Sequence, residues 1–154
     1  MFDLTGMTAL VTGASGGIGS AVAQALAAQG ARLAVSGSNA DKLNAFRDTL
    51  GGDHIALPCN LGDAAAVDAL VPSAVDALGQ LDILVNNAGV TRDNLIMRMK
   101  DDEWMDVIRI NLEANFRLAR AAAKPMMKAR FGRIISITSV VGATGNPGQA
   151  NYAA

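Results

Sequence analysis

The chain alternates short apolar runs with longer stretches of helical period. Met7–Thr12, Ala31–Ser36, His54–Cys59, Leu81–Asn86 and Arg133–Thr138 are near-continuous apolar segments, the pattern of strands covered on both faces. Between them, Gly17–Gln29, Ala40–Leu50, Asp63–Leu78 and Asp101–Arg130 predict helices. The punctuation agrees. Gly30, Gly51-Gly52, Gly79 and Gly132 follow the helices, Asn39 stands where the second would be capped, and Pro58 marks the end of the third strand. Asp101, Asp102 and Glu103 open the long helix at its positive dipole end, and Trp104, Val107, Ile108, Leu112 and Ala119 supply an apolar stripe. Pro125 should kink that helix. Val140–Ala150 reads as glycine-rich loop and Asn151–Ala154 as at most a helix stub. Strand–helix alternation of this kind implies a parallel sheet with right-handed crossovers, hence one doubly wound α/β domain over residues 1–154.

Composition narrows the field. Hydrophobic residues make up 51% of 154 and charged residues 18%, a globular balance, and the formal net charge of −1 argues against a polyanion binder. With 4% aromatics, base stacking on single strands is not expected. Cys59 is the only cysteine and His54 the only histidine, which leaves no disulfide framework and no expected metal site. Cys59 reads as a small buried hydrophobe, His54 as the residue that opens the third strand, and the pairs Met97/Met99 and Met126/Met127 as packing. No apolar run reaches membrane-spanning length, and Met-Phe-Asp-Leu-Thr-Gly does not look like a signal peptide, so a cytoplasmic protein is expected. Charge is uneven: up to Thr91 there are three basic residues against eight aspartates, whereas Arg117–Arg133 holds six basic residues and no acid. That stretch is either a solvated helix end or a docking face for an acidic partner.

The first chemical motif is Thr12-Gly13-Ala14-Ser15-Gly16-Gly17-Ile18-Gly19, between the first strand and first helix. Gly13 permits a tight turn, Gly17 the close approach of a pyrophosphate, and Gly19 close helix packing, with the helix N-terminus facing the phosphates. No Lys-Ser/Thr follows, so it is not an ATP-type loop. The fold expected is therefore a Rossmann-type, dinucleotide-binding one.

These residues resemble the short-chain dehydrogenase/reductase family. Thr12–Gly19 looks like its cofactor loop, and Asn86-Asn87-Ala88-Gly89 like its second signature. Asn111, Ser139 and Tyr152, thirteen residues after Ser139, match its catalytic spacing. Val90–Leu95 and Asn146–Ala154 are similar to the branch that reduces 3-oxoacyl-acyl-carrier-protein thioesters in fatty-acid synthesis; acetoacetyl-coenzyme A reductases are close relatives.

The resemblance implies a hydride donor in the glycine loop, Tyr152 as proton donor, Ser139 holding the substrate oxygen, and Asn111 helping to hold a water relay. A free phenol has a pKa of about 10, so a neighbouring cation must lower it. In the family that cation is a lysine four residues after the tyrosine, a position two residues beyond Ala154. The resemblance therefore implies about three-fifths of a family member, with the sheet truncated after its fifth strand, a bare edge along Ile134–Ile137, an exposed apolar patch, and no activity in the piece alone. The complete member would be a homo-tetramer.

The resemblance carries over Gly13, Ala14, Ser15, Gly16, Gly17, Ile18, Gly19, Ser38, Asn60, Leu61, Asn87, Ala88 and Gly89 as cofactor-binding. The end of the second strand, Ser36-Gly37-Ser38-Asn39, has no acid for ribose hydroxyls, which favours NADP over NAD, although relatives often carry an arginine where Gly16 stands. Ser38 and Asn39 offer hydrogen bonds to a phosphate but no charge. Arg130, and after it Lys128, match positions that dock an acidic acyl carrier protein. No nucleic acid and no membrane partner are implied. A nucleotide-binding fragment without the reaction is the competing reading.

Overall fold

The computed structural model describes residues 2–154, so Met1, the first residue of the leader reading, lies outside them. Five strands, β1 (Thr8–Thr12), β2 (Arg32–Gly37), β3 (Ile55–Pro58), β4 (Ile83–Asn86) and β5 (Arg133–Ser136), form one parallel sheet in the order β3-β2-β1-β4-β5. Helices α1 (Gly17–Ala28), α2 (Ala40–Leu50) and α3 (Ala64–Leu78) provide the first crossovers. The last crossover runs through α4 (Asp101–Val107), a π-helical turn Ile108–Glu113, and α5 (Ala114–Ala129). Two short helices, α6 (Val141–Thr144) and α7 (Ala150–Ala153), follow β5. No helix among the described residues is long and apolar enough to cross a membrane.

Period-two alternation divides the core into two layers. Leu10, Ala34 and Leu84 face α3 and α5, where Val67, Val71, Ala114, Leu118 and Ala122 cover them. Ala9, Val11, Leu33, Val35, Ile83 and Val85 face the other way, onto Ala23 of α1 and Leu43 of α2. Both faces of the central strands are therefore dry, and the apolar runs are continuous for that reason. Asn39 caps α2 by accepting the Lys42 N–H at 2.8 Å, and Asp63 caps α3 through Ala65 N–H at 2.9 Å. Gly79 closes α3 in the left-handed conformation.

Some expectations fail. The buried stripe of the long helix is Val107, Ala114, Leu118, Ala122 and Met126; Leu112 and Trp104 of the expected stripe are 58% and 39% exposed. The buried positions keep an i, i+7, i+4 spacing on one face, and Trp104 and Leu112 fall on another. Pro125 lies inside α5, which runs on to Ala129, with Ala122 and Met126 on either side of the proline packed into one core. Arg130, not Gly132, turns the chain out, at φ 54°. Part of the expected loop Val140–Ala150 is helix α6, and the stub at α7 is as expected. Among the methionines Met126 is buried, but Met97 and Met127 are exposed. Consecutive helix positions such as 126 and 127 diverge by about 100°, so both cannot face the sheet.

β5 is an edge strand whose Ile134 and Ile135 are 42% and 45% exposed, as the resemblance implied. Cys59 is buried, and burial pushes its thiol up from the ordinary value. His54 opens β3 and accepts the Leu33 N–H on Nδ1 at 3.1 Å. Burial, the largest effect, holds its imidazole below the ordinary value; Asp53 opposes this and Arg32 adds to it. The neutral ring is thus favoured by the fold, and the unfolded chain takes up the proton first as pH falls. This contribution is complete above the ordinary histidine range and is lost as pH drops through the lowered folded value. Urea midpoints measured from pH 7.5 to 5 are expected to fall less steeply in His54→Leu than in the parent.

Candidate active site

Sequence order reverses in the sheet between β1 and β4: from β1 the chain builds outward to β3, then returns to β4. A crevice opens at the C-terminal ends of strands at such a point. Two adjoining cavities occupy it here, of about 590 and 520 Å³, sharing Ile18 and Asn87–Val90 as a common wall.

The first cavity lies over the glycine loop. Gly13 stands at φ 62°, and a Cβ there would lie 2.9 Å from Ala88 Cα. A Cβ at Gly19 would run into the Gly13 carbonyl and come within 2.6 Å of Asn87 Nδ2, whereas one at Gly17 would meet nothing within 4 Å. The loop is thus closed tightly on its inner side and open at the helix start, the shape that admits a pyrophosphate to the free N–H groups. Ser15, Gly16, Ile18, Ser38, Asn60 and Leu61 line the same cavity. Ala14 does not line it: its side chain is fully buried and its N–H is donated to Ser36 O at 3.0 Å. Asn39 spends its carbonyl oxygen on the α2 cap and Asn60 spends its own on Gly62 N–H. On these observations the cavity fits a dinucleotide.

Thr12 was not singled out in the sequence. Its buried hydroxyl accepts the N–H groups of Asn87 at 3.0 Å and Ala88 at 3.1 Å and donates to Val85 O at 3.4 Å. Asn87 Nδ2 in turn donates to Thr12 O and Gly13 O. The second signature is therefore fastened to the first. Thr12→Val leaves two part-buried N–H groups without acceptors, at about 1–3 kcal/mol each. We expect a lowered thermal midpoint in Thr12→Val, largely restored in Thr12→Ser.

The second cavity brings together Asn111, Ser139 and Tyr152 with Asn115, Ile137 and Thr138. Asn111 sits in the π turn and pairs with one peptide unit: Oδ1 accepts Val90 N–H and Nδ2 donates to Val90 O, both at 2.8 Å. This fixes the chain just after Gly89. Ser139 Oγ accepts Val141 N–H at 3.2 Å, leaving its proton for another acceptor. Tyr152 is held through its backbone N–H on Asn151 Oδ1 at 2.8 Å. Asn151 is buried and donates to Arg92 O and Glu103 O. Gln149 donates to Asp93, and Asn94 N–H reaches Gly148 O. The two segments Val90–Leu95 and Asn146–Ala154 are thus halves of one contact.

Arg130 and Lys128 lie elsewhere. Arg133 pairs with Ile83 at the start of the neighbouring strand, so the end of α5 meets the N-terminal edge of the sheet, opposite the crevice. Arg117 bridges Asp68 at 2.9 Å and Glu113 at 2.8 Å, and these hydrogen bonds hold its pKa above the ordinary value.

The short chain dehydrogenase family model matches residues 7–154. The chain belongs to the short-chain dehydrogenase family. Among relatives of this chain, nodulation protein G of Rhizobium sp. (strain N33) is 53% identical over 154 residues, all of this chain and 63% of that protein. The 3-oxoacyl-[acyl-carrier-protein] reductase FabG of Escherichia coli (strain K12) is 52% identical over 152 residues, 99% of this chain and 62% of that protein. A crystal structure from Sinorhizobium meliloti 1021, named as a candidate short-chain alcohol dehydrogenase, superposes with a TM-score of 0.93 at 36% identity, covering 98% of this chain and 61% of that one. The chain therefore spans about three-fifths of the length of the relatives it matches.

Proposed function

We propose that this chain carries the cofactor cavity and catalytic hydroxyls of a reductase that uses NADPH to convert 3-oxoacyl thioesters of an acyl carrier protein to 3-hydroxyacyl thioesters. The observation that carries the reading is the common wall Asn87–Val90, which sets the cavity of Ser139 and Tyr152 beside the dinucleotide cavity. NADPH bound there would supply the hydride. Ser139 donates a hydrogen bond to the ketone oxygen as negative charge develops on it and keeps its proton. Tyr152 transfers its phenolic proton to that oxygen. Asn111 keeps Val90, and with it the wall between the cavities, in place.

The preference for NADPH is supported by the absence of any acid at Ser36-Gly37-Ser38-Asn39. Carrier protein is favoured over coenzyme A by the likeness to FabG and by the exposed cations Lys128 and Arg130. Because these lie at the far edge of the sheet, they act on a carrier engaged by a neighbouring copy in a cytoplasmic tetramer. Exposed Leu112 and Phe116 on the long helix suit such an assembly. The test, on protein extended to its relatives' full length so that the lysine four residues after Tyr152 is present, is NADPH consumption with acetoacetyl-acyl carrier protein and acetoacetyl-coenzyme A as substrates. Saturable consumption with the former at the higher kcat/KM is the expected result. Binding of NADP(H) with turnover of neither would support the nucleotide-binding reading instead.

A further inference from the structure

Lys42 is the only charged side chain in the wall of the dinucleotide cavity. It stands beside Ser36, Gly37 and Ser38, and Ser15 closes the same corner: a Cβ on Gly37 would lie 3.3 Å from Ser15 Oγ. No carboxylate lines the cavity. The other two cations of the acidic half are neutralised, Arg32 by Asp53 at 2.7 Å and Arg47 by Asp48 at 2.6 Å. Among the described residues Lys42 has no carboxylate within 4 Å. An unpaired cation in a half of the chain that otherwise carries an excess of aspartates is a place where an anion gains most.

The position within the cavity decides which anion. The pyrophosphate belongs over Gly17 and the start of α1, whereas Lys42 lies past the end of β2, where the adenosine ribose is read. A carboxylate at that strand end would bind ribose hydroxyls; here Ser36, Ser38 and Lys42 line that corner of the cavity and no carboxylate does. We propose that Lys42 is the specificity-determining cation for the 2′-phosphate of NADP(H), with Ser38 and Ser15 as hydroxyl partners. This rests on the NADPH reading above and supplies the charge that Gly16, Ser38 and Asn39 do not.

Isothermal titration of the purified protein with NADP⁺ and with NAD⁺ tests it. The parent is expected to bind NADP⁺ more tightly. In Lys42→Met the ratio of the two affinities should fall by about fivefold to tenfold, as for one solvent-accessible charge pair with phosphate. Lys42→Arg should keep most of the ratio, and added salt should narrow it in the parent more than in Lys42→Met. An unchanged ratio in Lys42→Met, with the parent still favouring NADP⁺, would overturn the role of Lys42 and leave the cofactor reading intact. A parent that favours NAD⁺ would overturn both. Lys42 is exposed and makes no side-chain hydrogen bond in the described residues, and a matching thermal midpoint in Lys42→Met separates a binding effect from a folding one.

Discussion

In protein extended to its relatives' full length, Tyr152→Phe is expected to lower turnover of an acetoacetyl thioester by about 10²–10⁴-fold, the usual worth of a positioned proton donor. The change is clean because of how the residue is held. Its backbone N–H, not its hydroxyl, makes the bond to Asn151, and its ring stands half-buried in the wall of the second cavity. Phenylalanine keeps that ring and loses only the oxygen. NADP(H) affinity and the thermal midpoint should therefore stay close to the parent values, and the loss should appear in kcat. Ser139→Ala is the less informative variant, since its hydroxyl also accepts Val141 N–H and its removal loosens the start of α6. If Tyr152→Phe keeps parent turnover, the proton comes from elsewhere and the assignment of Tyr152 fails.

What the sequence made legible follows from where the physics is local. Strand positions could be read because burial on both faces makes their apolar runs continuous, and helix ends because caps such as Asn39 and Asp63 act within three residues. The glycine loop was legible because its demands for space fall within one turn. The stripe of the long helix was not: apolar residues occur on more than one face, and only packing on the sheet selects Val107, Ala114, Leu118, Ala122 and Met126 while Trp104 and Leu112 stay exposed. A π turn runs through Ile108–Glu113, and nothing in a period of 3.6 announces it. That same turn carries Asn111, whose bonds to Val90 reach 21 residues back. The pairing of Gln149 with Asp93 and of Asn151 with Arg92 spans 56 and 59 residues, so no spacing argument could find it. Thr12 was hidden for the same reason, its partners being 75 and 76 residues away. Lys42 has no sequence signal of its own beside Asp41; only the cavity wall separates the two, with Lys42 in it and Asp41 outside.

Two glycines, two residues apart, should separate stability from binding. Gly19 is buried, and a Cβ there would meet the Gly13 carbonyl and Asn87 Nδ2, neither of which can move freely. Gly13 is already at φ 62° in a tight turn, and Asn87 is tied to Thr12 O and Gly13 O. Gly19→Ala must therefore push α1 away from the loop or break the link between the first and second signatures. Overpacking of this kind costs about 1–3 kcal/mol. A thermal midpoint several degrees lower is expected, together with loss of dinucleotide binding, since both walls of the cavity shift. Gly17 faces open space, so Gly17→Ala should fold as well as the parent. Its methyl group would still stand where the pyrophosphate must approach the helix N-terminus, and NADP(H) binding should weaken without any fall in the thermal midpoint. Thermal unfolding and nucleotide titration on the pair distinguish these outcomes. Equal binding by Gly17→Ala and the parent would mean that the phosphates do not lie over this loop, and the dinucleotide would have to be placed elsewhere in the crevice.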